Sequence, residues 1–176
     1  MLGRPLQATR SSRGSGGTVR SGLPDTTKIG FINVMTLNGK VEELVEYMEK
    51  KDIAMMGVSE TKWKGNGQKE VKKGKGYRIF WSGGKKAVNG VGFIVREDLA
   101  QYVDKIDQIS DRIIKVRLAL ESGIKDFIQV YAPQTGKVDE CLEEFLEELE
   151  RCIEDKEVII MGDMNAHEGT DRDKKK

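Results

Sequence analysis

From residue 28 onward the chain alternates short apolar runs with polar punctuation, and the spacing of the apolar positions changes from one segment to the next. Residues 29–35 form a continuous apolar run interrupted by Asn33, which reads as a buried strand. Residues 40–51 place Val41, Leu44, Val45 and Met48 at helical spacing on one face. A second buried strand follows at 53–58. Residues 77–81 and 90–95, the latter behind the turn-prone Asn89-Gly90, read as neighbouring strands of a hairpin with a long connection. Residues 98–102 fit one helical turn. Strict alternation returns at 113–120, with Ile114, Val116, Leu118 and Leu120 on one face and Lys115 and Arg117 on the other. A strand at 126–131 follows across Ser122-Gly123. Residues 138–153 carry eight apolar positions at steps of three and four opposite a glutamate-rich face, the clearest helix in the chain. Residues 158–161 close the pattern as a last buried strand.

The resulting order, β-α-β-β-β-β-β-α-β, predicts a layered α/β domain in which helices connect strands and part of the sheet is parallel or mixed. Residues 1–27 stand apart. Arg4, Arg10, Arg13 and Arg20 lie among Gly and Ser, with no acidic residue before Asp25, so this stretch buries too little surface to offset its ordering entropy. It reads as a disordered basic tail, and 171–176 as a short charged one.

Composition narrows the classes. Of the 176 residues, 38% are hydrophobic and 34% charged, a soluble globular balance, and no apolar run approaches the roughly 20 residues of a membrane span. One histidine and two cysteines leave no ligand set for a structural zinc site. Cys141 and Cys152, eleven apart on one helix, are separated by roughly 16 Å of axis and cannot pair. Both fall on its apolar face, which suits a reducing interior, nucleus or cytoplasm. The net charge is only +1, but residues 62–75 carry six lysines and one glutamate. That loop either tracks phosphates or is simply solvated.

Several polar residues fall at predicted strand ends, where open α/β sheets bind ligands. Asp163 and Asn165 follow the last strand in Gly162-Asp163-Met164-Asn165 and share a face in extended backbone. An anionic acceptor beside a neutral amide suits orienting a water and holding a phosphate oxygen, although Asp-x-Asn is also common in turns. Glu60 follows the second strand, where a carboxylate is well placed for Mg²⁺, a hard cation that takes few protein carboxylates; the plain alternative is a surface glutamate. Asn33 interrupts an apolar strand and either joins a core network or lines a site. Tyr131 precedes Ala132-Pro133 at a strand end, as a site residue or ordinary packing.

Taken in order, Ile32-Asn33-Val34, Glu60-Thr61-Lys62-Trp63, Gly90-Val91-Gly92-Phe93, Tyr131-Ala132-Pro133-Gln134 and Gly162-Asp163-Met164-Asn165-Ala166-His167 resemble the endonuclease/exonuclease/phosphatase superfamily. Within it they are most similar to the apurinic-endonuclease-like nucleases of non-LTR (LINE-type) retrotransposons and their craniofacial-development-protein-like relatives. The resemblance covers residues 28–170. Ile32 stands where the family has Trp, and Ser59 where it has Gln. The resemblance implies a four-layer α/β/β/α sandwich, of which this chain would be the N-terminal half. That half would supply the first sheet with its helices, leaving an apolar sheet face open to self-association. The resemblance also implies a Mg²⁺-dependent cut of DNA by an activated water, with Mn²⁺ as a substitute metal. Glu60 would hold the metal, with Asn33 supporting it. Asp163 would orient or deprotonate the water, Asn165 would hold a phosphate oxygen and Tyr131 would contact the scissile phosphate. Lys62 and Gln134 would lie on the substrate side, against the DNA phosphate backbone. His167 belongs to the Asp163 motif. The family's Asp-His pair belongs to a later half-domain, so the resemblance implies a C-terminally truncated chain, weakly active or inactive. The alternative is a non-catalytic retroelement remnant that at most binds nucleic acid.

Overall fold

A computed structural model describes residues 27–134, 139–153 and 157–165. The predicted basic tail, residues 136–138, His167 and the terminal lysines lie outside the described residues. Among the described residues, nine strands form two sheets. The first, in the order β1-β2-β5-β4-β3, comprises β1 (Lys28–Asn33), β2 (Ile53–Ser59), β5 (Val91–Arg96), β4 (Tyr77–Ser82) and β3 (Asn66–Val71). The second, in the order β6-β7-β8-β9, comprises β6 (Val103–Ser110), β7 (Ile113–Leu120), β8 (Gly123–Tyr131) and β9 (Val158–Asp163). β1 runs parallel to β2 and β9 parallel to β8, while the other pairs are antiparallel. Both sheets are therefore mixed, and β4 and β5 form the expected hairpin.

Strand alternation sorts the core into three layers of side chains. Between the sheets, Met55, Phe80 and Phe93 of the first meet Val116, Leu118 and Phe127 of the second. On the outer face of the first sheet, helix α1 (Val41–Lys51) lays Leu44, Val45 and Met48 against Met56, Ile79 and Ile94. On the outer face of the second, α3 (Asp139–Cys152) lays Phe145, Leu149 and Cys152 against Ile113, Ile128 and Val130. A short α2 (Glu97–Ala100) follows β5. The order across the molecule is helix, sheet, sheet, helix. Each fully buried Leu, Val or Phe contributes about 1.5–3 kcal/mol.

α1 shows why its sequence stops where it does. Glu42 and Glu43 occupy the first turn and Lys50 and Lys51 the last, each complementing the helix dipole. Asp52 then turns left-handed at φ 53°, returning its N–H to the carbonyls of Met48 and Glu49.

Three expectations are corrected. The chain supplies both sheets, so the inner face of the first is covered by the second and is not open. The lysine-rich segment contains the edge strand β3, and Lys73 and Lys75 are drawn onto α1 and its cap by Glu46 and Asp52. Its positive charge is thus partly neutralised locally. On α3, Cys141 is exposed while Cys152 is buried. No helix among the described residues is long and apolar enough to cross a membrane.

Candidate active site

Four strands end at one edge of the sandwich, and each delivers a residue there. The parallel register of β1 and β2 sets Asn33 beside Ser59, one residue before Glu60. The parallel register of β8 and β9 sets Tyr131 directly beside Asp163. Face-to-face packing of the sheets brings the two pairs together. Asn33 Nδ2 donates to Glu60 Oε1 at 2.8 Å, and Tyr131 Oη donates to the same oxygen at 3.0 Å. Glu60 Oε2 has Lys62 Nζ at 3.9 Å. One carboxylate oxygen is therefore held by two donors from opposite sheets, while the other faces a lysine across a looser gap.

Asn33 is oriented in turn, because its Oδ1 accepts the backbone N–H of Met35 at 2.9 Å. Tyr131 is buried, and its phenol pKa is raised, first by that burial and then by its hydrogen bond to Glu60. It stays protonated, as a donor to Glu60 must. Arg112 grips Tyr131 from behind. Its guanidinium lies 5.4 Å from the ring centroid and donates to the Tyr131 carbonyl at 3.0 Å, while its own carbonyl accepts the Tyr131 N–H at 2.9 Å.

Asp163 and Asn165 form the second half of the arrangement. Asp163 Oδ1 accepts the backbone N–H of Asn165 at 2.9 Å, and Asn165 Nδ2 donates to the Ala132 carbonyl at 2.6 Å. The Ala132 N–H returns to the Asp163 carbonyl at 2.8 Å, tying the two strand ends together. Gly162, with φ 136°, makes this possible: a side chain there would run into the Val130 backbone.

Backbone strain collects at the same edge. Among the described residues, five non-glycines have positive φ, and four of them are Met35, Glu60, Lys62 and Asn165. Asparagine tolerates that region readily; the others store of order 1–3 kcal/mol each, which the surrounding sheets must hold. Glu60 and Lys62 flank Thr61, whose N–H is anchored on the Gly90 carbonyl.

A cleft of about 360 Å³ opens over the group, lined by Glu60, Lys62, Asn89, Arg112, Tyr131 and Gln134 among others. The structure thus joins Asn33, Glu60 and Tyr131 by direct contact, sets Lys62 and Gln134 in the cleft, and seats Asp163 and Asn165 on the adjoining strand end. Arg112 and Asn89 were missed from the sequence. Arg112 sits in the tight turn between β6 and β7, and β6 itself was not recognised. Among the described residues no three His, Cys, Asp or Glu side chains cluster as a metal cage. The donor set fits a hydrated Mg²⁺, which takes one or two carboxylates and keeps several waters.

Comparison with known proteins bears on the fold and on sequence similarity. No family model matches the sequence. Solved structures of the same fold include an AP endonuclease from Archaeoglobus fulgidus, 24% identical over 80% of this chain and 58% of that one, with a TM-score of 0.54. The catalytic domain of Xenopus laevis APE2 is 15% identical at a TM-score of 0.59, covering 80% and 59% of the two chains. The endonuclease domain of TRAS1, a telomere-specific non-LTR retrotransposon, is 16% identical at 0.56, covering 81% and 61%. The fold is that of AP endonucleases and related nucleases. In sequence the chain is similar to craniofacial development protein 2 of Bos taurus, 31% identical over 147 residues, which are 81% of this chain and 24% of that protein. It therefore spans about a quarter of the length of the curated relatives it matches. The resemblance read from the five motifs is borne out.

Proposed function

We propose that this chain carries a Mg²⁺-dependent phosphodiester hydrolase site that acts on DNA. The observation that supports it most directly is the double donation from Asn33 and Tyr131 onto a single oxygen of Glu60. Two hydrogen bonds to one oxygen fix the carboxylate plane and leave the second oxygen directed to the cleft, as a metal-binding carboxylate requires. A divalent cation bound there would supply charge neutralisation at the phosphate. Asp163 orients or deprotonates the attacking water, and Asn165 holds a phosphate oxygen. Lys62 and Gln134 take the substrate side, where a lysine acts as a point charge toward phosphate. Tyr131, which lines the cleft beside Glu60, contacts the scissile phosphate from there.

Phosphoryl transfer is mostly positioning and charge neutralisation, so rigid placement of these groups on two sheets suits it. The only histidine in the sequence, His167, belongs to the Asp163 motif. The reading is tested by nicking of supercoiled plasmid with and without Mg²⁺. The wild-type chain should nick in a metal-dependent way and Asp163→Ala should lose that activity. Equal nicking by the two, or none by either, would leave a nucleic-acid-binding remnant as the better account.

A further inference from the structure

Between β2 and β8 the inter-sheet core turns polar just beneath the site. The inward positions are Met55, Gly57 and Ser59 on β2, and Phe127, Gln129 and Tyr131 on β8. Ser59 and Gln129 are both fully buried. Gln129 Nε2 donates across the gap to Ser59 Oγ at 2.8 Å, and more weakly to the Val130 carbonyl at 3.3 Å. Ser59 Oγ donates in turn to that same carbonyl at 3.4 Å. Gly57 admits the crossing, because a Cβ there would collide with Gln129 Oε1.

Stability does not account for the glutamine. Its Oε1 is buried with no partner among the described residues, and an unpaired buried acceptor costs free energy that an apolar side chain of the same length would not. What the amide adds is direction. Apolar contact between sheets is non-directional and tolerates sliding, whereas one donor aimed at one acceptor holds a register. Its location says which register. Ser59 directly precedes Glu60, whose backbone turns left-handed at φ 57°, and the Ser59 carbonyl is fixed within its own sheet by the Val34 N–H at 3.0 Å. Gln129 lies two residues before Tyr131 on the same face of β8. The hydrogen bond from Tyr131 to Glu60 therefore spans the sheets immediately above this link. Functional groups need placement to within about 0.5 Å, so a small slip of one sheet on the other would part them.

We propose that Gln129 and Ser59 are positioning residues, whose hydrogen bond sets the two sheets so that Tyr131 meets Glu60. Its consequence for Mg²⁺ rests on the proposed function. Gln129→Met keeps the length of the side chain and removes the amide, and Ser59→Ala removes the acceptor. Both should unfold near the wild-type midpoint yet bind Mg²⁺ about tenfold more weakly by calorimetry, as when a metal carboxylate loses its support. The double variant should be no weaker than either single one, because both delete the same link. A metal-free measurement stands beside these. Asn33 donates to the oxygen that Tyr131 shares, and it lies far from residue 129 in sequence and on the other sheet. Its side-chain amide signal in NMR should move in Gln129→Met, in the direction it moves in Tyr131→Phe. Should Gln129→Met fail to fold, Ser59→Ala carries the same comparison with the loss of a single oxygen. An Asn33 signal unmoved from wild type overturns the proposal, as do additive losses in the double variant. Because the amide is read without metal, a wild-type chain that binds no Mg²⁺ sinks the proposed function while Asn33 still judges the link.

Discussion

Gly57 lies in β2 against Gln129 and Met161 of the second sheet, and replacing it with alanine tests the sandwich directly. A methyl group there would fall inside the van der Waals shell of Gln129 Oε1, 2.8 Å from Gln129 Cδ and 3.0 Å from Met161 Sδ. Gln129 is fully buried, and its Nε2 donates to Ser59 Oγ at 2.8 Å, so it has little freedom to retreat. Its Oε1 already lacks a partner among the described residues. Overpacking alone costs about 1–3 kcal/mol. If the amide swings away from Ser59, a buried donor is left unsatisfied for about 1–3 kcal/mol more. Gly57→Ala should therefore lose roughly 2–5 kcal/mol, a large share of the ~5–15 kcal/mol typical of a domain. At about 2–4 °C per kcal/mol for a chain of this size, the midpoint should fall by roughly 5–20 °C. Urea and thermal unfolding of wild type, Gly57→Ala, Gln129→Ala and the double variant form a cycle. The methyl group added at position 57 fills space vacated by truncating the side chain at position 129, so the double variant should be more stable than the sum of single losses by about 0.5–3 kcal/mol. Additive losses, or a Gly57→Ala protein within about 0.5 kcal/mol of wild type, would mean that the sheets do not meet as described.

Further expectations concern the core and the site. Phe93, fully buried between the sheets, should cost about 3–5 kcal/mol when cut to alanine, measured by denaturant unfolding. Tyr77 has a buried hydroxyl without a partner among the described residues, and burial pushes its pKa up to about 12. Because the folded state holds the proton more tightly, stability should be complete below the unfolded value near 10 and decline as pH rises toward about 12. Tyr77→Phe should flatten that alkaline decline without loss at neutral pH, read from denaturation midpoints across the range. Glu60→Gln should weaken Mg²⁺ binding measured by calorimetry, and an unchanged affinity would remove Glu60 as the metal carboxylate. Tyr131→Phe deletes one of the two donors to Glu60 Oε1 and should also weaken Mg²⁺ binding, by less than Glu60→Gln.

The elements legible in the sequence were those whose two faces differ, or whose both faces are buried. β2 and β5 announce themselves as continuous apolar runs because each lies between neighbours within a covered sheet. α3 shows its period because one side meets the second sheet and the other meets water. β3 and β6 went unread for the opposite reason. As edge strands they carry few apolar residues and none at a two-residue spacing, since Val103, Ile106 and Ile109 of β6 are three apart across register shifts and Val71 stands alone in β3. Their pairing comes from backbone hydrogen bonds that leave no mark on residue type. With β6 unseen, half of the second sheet's context was lost, and its strands were assigned to the first. The inner apolar face consequently looked bare, although the sequence already contained the residues that cover it.

The candidate site was legible for a reason that also limits what sequence can say about it. Asn33, Glu60, Tyr131 and Asp163 each break or end an apolar run, so each stands out as a polar residue at a strand terminus. What converts them from four marked positions into one arrangement is the register between sheets, which no local pattern encodes. Asn33 and Tyr131 lie nearly a hundred residues apart, on different sheets, yet donate to the same oxygen. The left-handed conformations of Glu60 and Lys62 are equally invisible, since neither residue type favours positive φ. They are imposed by the Thr61 and Lys62 backbone bonds to Gly90 and Asn89, and by the packing that surrounds them. A local choice that runs against propensity persists only where tertiary structure over-determines it. At Glu60 that over-determination turns the carboxylate back across the sheet edge, where donors from both sheets reach it.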